Sequence, residues 1–231
     1  MDVAKIIDQT FLHQEASDQE VEKVAQEAKQ YGFRAFCILP QHTKIAKVCL
    51  QDSGVKVTTL IDEPTGASSH EERLAMVNKA KENGSDEIEL VMKVDDFKNK
   101  KYKEVSADLK ELCSLLPTKV IIGSGYLTDE EIKEASKITE SAGAICVKTA
   151  TVDDPLDNTE LAEKAKHIKI MRESVNSILV KASGAIRNLA DVEMMLSAGA
   201  DIIGTSSGVK IVQESQGQED VAEKEAWRKT E

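Results

Sequence analysis

Short runs of β-branched and other apolar residues recur along the chain, separated by longer charged stretches with apolar positions at helical spacing. The apolar runs fall at Ile6–Leu12, Arg34–Pro40, Lys56–Ile61, Glu87–Val94, Lys119–Ser124, Ala144–Ala150, Ser177–Ala182 and Asp201–Thr205. Their length and composition predict strands, and segments such as Glu20-Val-Glu-Lys-Val-Ala-Gln-Glu-Ala-Lys predict the helices between them. Glycines at 32, 84, 143 and 199 follow helical segments and precede strands, the signature of a left-handed C-cap in a tight connection. Thr128-Asp-Glu-Glu opens a further helix as a capping box. Eight strand–helix alternations without a Pro-, Gly- or Ser-rich linker predict one (β/α)8 TIM barrel rather than a doubly wound sheet. The barrel is expected over residues 1–212, with a polar, weakly ordered tail over 213–231.

Alternation within Glu87–Val94 sorts the side chains. Ile88, Leu90 and Met92 share one face, suited to packing beneath helices, while Glu87, Glu89, Val91 and Lys93 share the other, toward the barrel interior or rim. Inward polar residues also gather toward the C-terminal ends of other strands: Asp8, Thr10, Lys148, Lys181 and Ser183. That end carries the active site in this architecture.

The net charge of -11 and pI near 5.0 exclude nucleic acid as a primary partner, because phosphate contacts need clustered Lys and Arg. No long apolar segment is present, so a soluble cytoplasmic protein without membrane contact is expected. The four cysteines have no metal spacing and lie in apolar stretches, as buried thiols do in a reducing compartment. The four histidines are scattered, and no metal is assigned.

Lys148 and Lys181 each sit in an apolar β-branched strand, in Ala-Ile-Cys-Val-Lys-Thr-Ala-Thr and Ser-Ile-Leu-Val-Lys-Ala-Ser-Gly. Burying an ammonium group is costly unless it is paired or loses its proton. Two such groups on neighbouring strands disfavour each other's charge, and a neutral amine can attack a carbonyl to form a Schiff base. A lone strand-end lysine often snorkels to solvent instead, but the matched pair argues against that. Glu89 suits either a proton shuttle or an ion-pair partner for Lys93 or Lys181. The glycine-rich stretches Ser183–Arg187 and Gly204–Gly208 follow the last two strands, where backbone N–H groups hold phosphate in many barrels. Taken singly, either stretch is also an ordinary tight turn. Cys37 reads as packing, and the acidic loops Asp62–Gly66 and Thr151–Pro155 as solvated charge near the mouth.

On these residues the chain resembles the deoxyribose-phosphate aldolases, class I aldolases built on a (β/α)8 barrel, from about Ile7 to Val212. The most specific matches are Val147-Lys-Thr149, Val180-Lys-Ala-Ser-Gly184 with Ile186-Arg187, and Ile203-Gly-Thr-Ser-Ser-Gly208. Ile7-Asp-Gln-Thr10, Phe36-Cys-Ile-Leu-Pro40 and Leu127-Thr-Asp-Glu-Glu131 support them. The resemblance implies reversible cleavage of 2-deoxy-D-ribose 5-phosphate to acetaldehyde and glyceraldehyde 3-phosphate, with no metal or organic cofactor. It implies Lys148 as the imine-forming amine and Lys181 as the cation that lowers that amine's pKa. Glu89 stands where the family has an aspartate that works with a water in proton transfer. Asp8, Thr10, Cys37, Thr149 and Thr151 are implied to line the substrate. Gly184, Ala185, Arg187, Gly204, Ser206 and Ser207 are implied to bind phosphate. The implied partners are sugar phosphates and aldehydes, and a homodimer is compatible with the family.

The chain departs from the family pattern at the rim. Glu89 is one methylene longer than aspartate, Thr149-Ala-Thr-Val152 replaces Thr-Ser-Thr-Gly, and Ala185 replaces a glycine. Gly123-Ser-Gly125 replaces Glu-Thr-Gly, Leu39 an asparagine, and Asp62-Glu-Pro64 the usual Gly-Phe-Pro. Two alternatives therefore stand beside the leading reading: the same imine chemistry on a different or non-phosphorylated aldehyde, and a non-catalytic barrel that binds a phosphate metabolite.

Overall fold

In the computed structural model, which describes residues 2–158 and 160–217, eight parallel strands close into a barrel in sequence order. They are β1 (Ile7–Phe11), β2 (Ala35–Ile38), β3 (Lys56–Ile61), β4 (Glu87–Val91), β5 (Thr118–Ile121), β6 (Cys146–Lys148), β7 (Leu179–Ser183) and β8 (Ile202–Thr205). The α-helices that the site and packing depend on are α1 (Asp18–Tyr31), α2 (Thr43–Cys49), α3 (His70–Glu82), α4 (Val94–Lys98), α5 (Tyr102–Cys113), α6 (Asp129–Ser141), α7 (Leu161–Ser174), α8 (Leu189–Ser197) and α9 (Gly208–Ser215). The (β/α)8 barrel expected from the sequence is thus present.

Local chemistry fixes where the helices begin and end. Thr128 and Glu131 form the expected capping box on α6, and Ser17–Glu20 and Ser69–Glu72 do the same for α1 and α3. Gly32 is a left-handed C-cap, and Gly84, Gly143 and Gly199 also have positive φ, as the helix-to-strand spacing predicts.

Ile88, Leu90 and Met92 pack in the large outer core shared by strands and helices. Fully burying each such side chain contributes about 1.5–3 kcal/mol. Inside the barrel, Leu39, Leu60, Val91 and Ile121 make a small apolar cluster on the β2–β5 side. Much of the remaining interior is ionic.

Two expectations need correction. The strand expected to reach Val94 stops at Val91, so Lys93 is not an interior residue. Lys93 instead precedes α4, and its Nζ donates to the Ser68 carbonyl at 2.6 Å. The first residues of the expected tail are helical. Gln213 and Glu214 belong to α9, where Gln213 Nε2 donates to the Tyr31 hydroxyl and Glu214 accepts the Leu189 N–H. Residues 218–231 lie outside the described part of the chain. No helix among the described residues is long and apolar enough to cross a membrane.

Candidate active site

A column of alternating charges runs up the barrel interior. At its lower end Arg34 bridges Asp8 Oδ1 at 2.8 Å and Glu87 Oε1 at 3.0 Å, with Lys56 also on Glu87. Above them Lys119 Nζ reaches Asp8 Oδ2 at 2.7 Å, Glu87 Oε2 at 3.0 Å and Glu89 Oε1 at 3.5 Å. Lys181 Nζ lies 2.6 Å from Asp8 Oδ2 and 2.5 Å from Glu89 Oε1. Lys148 Nζ lies 2.5 Å from the other Glu89 oxygen, Oε2. Strand parity and register produce the column: Glu87 and Glu89 alternate inward on β4, Glu89 pairs with Lys119, and Lys148 pairs with Lys181.

Asp8, Glu89, Lys119 and Lys181 are fully buried, so each is charged only because its partners offset the lost hydration. Burial raises the pKa of Glu89, but Lys148, Lys181 and Lys119 outweigh it and hold the carboxyl well below the usual range. The same competition holds Asp8 low through Lys119, Lys181 and Arg34. Burial lowers the pKa of Lys181, yet Asp8 and Glu89 overcome that and raise it. Lys181 therefore keeps its proton. Lys148 is 3% exposed, touches one carboxylate, and also faces open space, which makes it the amine of the pair that can meet a carbonyl.

That open space is a cavity of about 230 Å³ at the C-terminal end of the strands, lined by segments following β1, β6, β7 and β8. Of the residues expected at the site, Lys148, Thr10, Thr151, Gly184, Ala185, Arg187, Gly204 and Ser206 line it. Asp8 and Cys37, expected to line the substrate, lie beneath it in the ionic layer. Their strand positions turn both side chains into the closed interior. The Cys37 thiol donates to Glu89 Oε2 at 3.4 Å, and burial followed by Glu89 pushes its pKa up to about 12. It is an unreactive packing group, as its sequence context indicates.

Thr149 is buried as well. Its hydroxyl donates to the Ser183 carbonyl and accepts the Ser183 N–H, tying the end of β6 to that of β7. Ser207 precedes α9 outside the cavity lining, and its N–H is taken by the Thr205 hydroxyl. Asp62, expected as solvated loop charge, is instead paired with the fully buried Arg73 at 2.6 Å.

Two loops shape one side of the cavity. After β7, Gly184 and Ala185 have φ of 101° and 52°, so the chain takes two left-handed steps. Successive backbone N–H groups in such turns favour an anion. Lys164 Nζ donates to the Gly184 carbonyl at 2.9 Å and steadies the turn from α7. After β8, a Cβ on Gly204 would lie 2.2 Å from Ser183 Oγ and 2.7 Å from Lys181 Cε, so only glycine fits beside the lysine. Gln9 accepts the Gly208 N–H and donates to the Ser206 carbonyl, pinning the second loop to β1.

Sequence reasoning missed Lys119, Glu87 as part of the column, Arg34, Gln9 and Lys164. Lys119 had a usable signal, since it stands in the apolar run Thr-Lys-Val-Ile-Ile like the other two strand lysines.

The family described as DeoC/LacD family aldolase matches residues 2–221. The chain belongs to this family. It is 39% identical to a deoxyribose-phosphate aldolase of Staphylococcus carnosus (strain TM300), over 92% of this chain and 96% of the relative. Among solved structures, the aldolase QR15 has a TM-score of 0.87 at 35% identity, covering 94% of this chain and 97% of its own. The tetrameric deoxyribose phosphate aldolase of Aeropyrum pernix has a TM-score of 0.81 at 29% identity, covering 93% of this chain and 91% of its own. The family match spans all eight strands and the site.

Proposed function

We propose that this chain is a class I aldolase cleaving 2-deoxy-D-ribose 5-phosphate reversibly to acetaldehyde and D-glyceraldehyde 3-phosphate. The observation that supports this reading is that Lys148 lines the same cavity as the two glycine-bearing loops. A substrate with a carbonyl at one end and a phosphate at the other fits that polarity.

The Lys148 amine attacks the C1 aldehyde of the open-chain sugar, and the carbinolamine loses water to give an iminium. Glu89, held ionised, acts as base through a water on the C3 hydroxyl. The C2–C3 bond breaks, its electrons pass into the iminium, and an enamine forms as C3 becomes the aldehyde of the released product. Protonation at C2 and hydrolysis then return acetaldehyde and the amine. Lys181 keeps a cation beside the reacting nitrogen and stabilises ionised Glu89. Asp8 and Lys119 hold Lys181 and Glu89 in place. Gly184, Ala185, Arg187, Gly204 and Ser206 take the phosphate. Thr10 and Thr151 flank the sugar, and Thr149 and Ser207 support the loops from behind. A homodimer belongs to this reading and is tested by sedimentation.

Acetaldehyde release from 2-deoxy-D-ribose 5-phosphate, absent in Lys148→Ala, is the expected result. No release from the wild type contradicts the substrate assignment. A second reading, a non-phosphorylated or differently shaped aldehyde, is favoured by Val152 in the cavity wall and by the methyl of Ala185 on the left-handed turn. A panel with and without phosphate separates the two, and a strong preference for the phosphorylated sugar removes the second.

A further inference from the structure

The turn after β7 is fastened at both ends. Ser183 donates its N–H to Thr149 Oγ1 at 3.0 Å, and Arg187 donates its N–H to Asp191 Oδ2 at 2.8 Å. The Ile186 carbonyl accepts the Thr205 hydroxyl, which ties the turn to β8. Between these ties, the N–H groups of Ala185 and Ile186 have no protein acceptor among the described residues, and both residues line the cavity. Unspent backbone donors at a cavity wall are what an anion takes up.

One further tie reaches this turn from outside the cavity. Lys164 Nζ donates to the Gly184 carbonyl at 2.9 Å. That carbonyl and the Ala185 N–H are the two ends of one peptide group. A donor on the oxygen draws electron density toward it and makes the N–H at the other end a stronger donor. The same bond holds the peptide plane between two left-handed residues, and so fixes the orientation of the Ala185 N–H.

Lys164 is 1% exposed and is not part of the cavity lining, so it acts on the turn from behind rather than on a ligand. It is the fourth residue of α7, close to the end of a helix whose dipole disfavours a cation, so α7 gains nothing from its charge there. What the position does give is reach to the middle of the turn. Resting on the phosphate assignment above, we infer that Lys164 is a positioning residue for anion binding. Through the Gly184 carbonyl it orients and strengthens the Ala185 N–H that meets the phosphate. Its effect falls on holding the phosphate end of the substrate, not on the chemistry at Lys148.

The test compares Lys164→Met with the wild type on 2-deoxy-D-ribose 5-phosphate and on unphosphorylated 2-deoxy-D-ribose, and measures the Kd of inorganic phosphate by calorimetry. In Lys164→Met, KM for the phosphorylated sugar and Kd for phosphate are expected to rise on the order of 10-fold, with a much smaller change in kcat. On the unphosphorylated sugar, kcat/KM is expected to fall far less. Lys164→Gln keeps a neutral donor, serves if the methionine variant does not fold, and is expected to show a smaller loss of the same kind. An equal loss of kcat/KM on both sugars marks a merely structural residue and overturns the inference. An unchanged Kd for phosphate in the folded variants overturns it as well. A wild type that neither binds phosphate nor prefers the phosphorylated sugar overturns it together with the phosphate assignment.

Discussion

Lys148 and Lys181 are register partners on β6 and β7, and their ammonium groups take opposite oxygens of one carboxylate, Glu89, each at 2.5 Å. The two lysines are nevertheless unequal. Lys181 is also bound to Asp8 and is sealed from solvent, whereas Lys148 opens onto the cavity. Lys148 is thus the one of the two that a substrate carbonyl can reach, while Lys181 anchors Glu89 from below.

Replacing Lys181 should act on stability as well as on rate. In Lys181→Leu, Glu89 loses the ammonium group that holds its Oε1, so imine formation on Lys148 should slow. Asp8 and Glu89 also lose a buried partner, which typically destabilises by about 3–5 kcal/mol. Trapping rates and urea midpoints check both; an unchanged trapping rate would contradict the role given to Lys181.

Glu89→Asp should reduce turnover rather than restore it. Glu89 spans Lys148 and Lys181 directly and also meets Lys119 and Cys37. Shortening it by one methylene draws the carboxylate back by about 1 Å, a displacement that can reduce rate on the order of 100-fold. Steady-state kinetics decide it, and a faster variant would mean that the longer side chain is a handicap.

Ala185→Gly should stabilise the fold. Ala185 has a φ of 52°, a left-handed conformation that carries a penalty of roughly 1–2 kcal/mol for a residue with a Cβ. Part of the gain is offset by the freedom glycine adds to the unfolded chain, leaving about 0.5–1 kcal/mol. A urea midpoint that rises, with a lower KM for a phosphorylated substrate, is expected. A lower midpoint would contradict the strain assignment.

The ionic column should also govern stability against pH. Asp8, Glu87 and Glu89 have lowered pKa values because their cationic partners outweigh burial. Their stabilisation is present above the unfolded-chain values of about 4 and lost as pH falls below them. Lys119 and Lys181 have raised values, since Asp8 and Glu89 outweigh burial, with Glu87 adding to the effect on Lys119. Their stabilisation is present below about 10.4 and lost as pH rises beyond it. Urea midpoints should stay level between these limits and fall steeply in acid; a midpoint that holds below about pH 4 would contradict the linkage.

The barrel was legible because β-branched runs, capping boxes and C-cap glycines are local signals that agree with the closed sheet. Strand ends were less so. Lys93 follows the β4 alternation in sequence, yet Met92 and Lys93 already belong to the turn into α4. At the site, parity correctly pointed Lys148, Lys181 and Glu89 inward. It did not tell how deep a residue sits, which depends on barrel stagger, so Asp8 and Cys37 were expected to line the substrate but are fully buried outside the cavity lining. Gln9 and Lys164 support the phosphate loops from β1 and α7, and long-range hydrogen bonds of that kind leave no mark in sequence spacing.

The central claim is that Lys148, alone among three inward lysines, forms the imine. Incubation with 2-deoxy-D-ribose 5-phosphate and borohydride, followed by peptide mapping, tests it most directly. A reduced adduct confined to Lys148 is the expected result. An adduct on Lys181 or Lys119, or no adduct while the sugar phosphate is still cleaved, would contradict it.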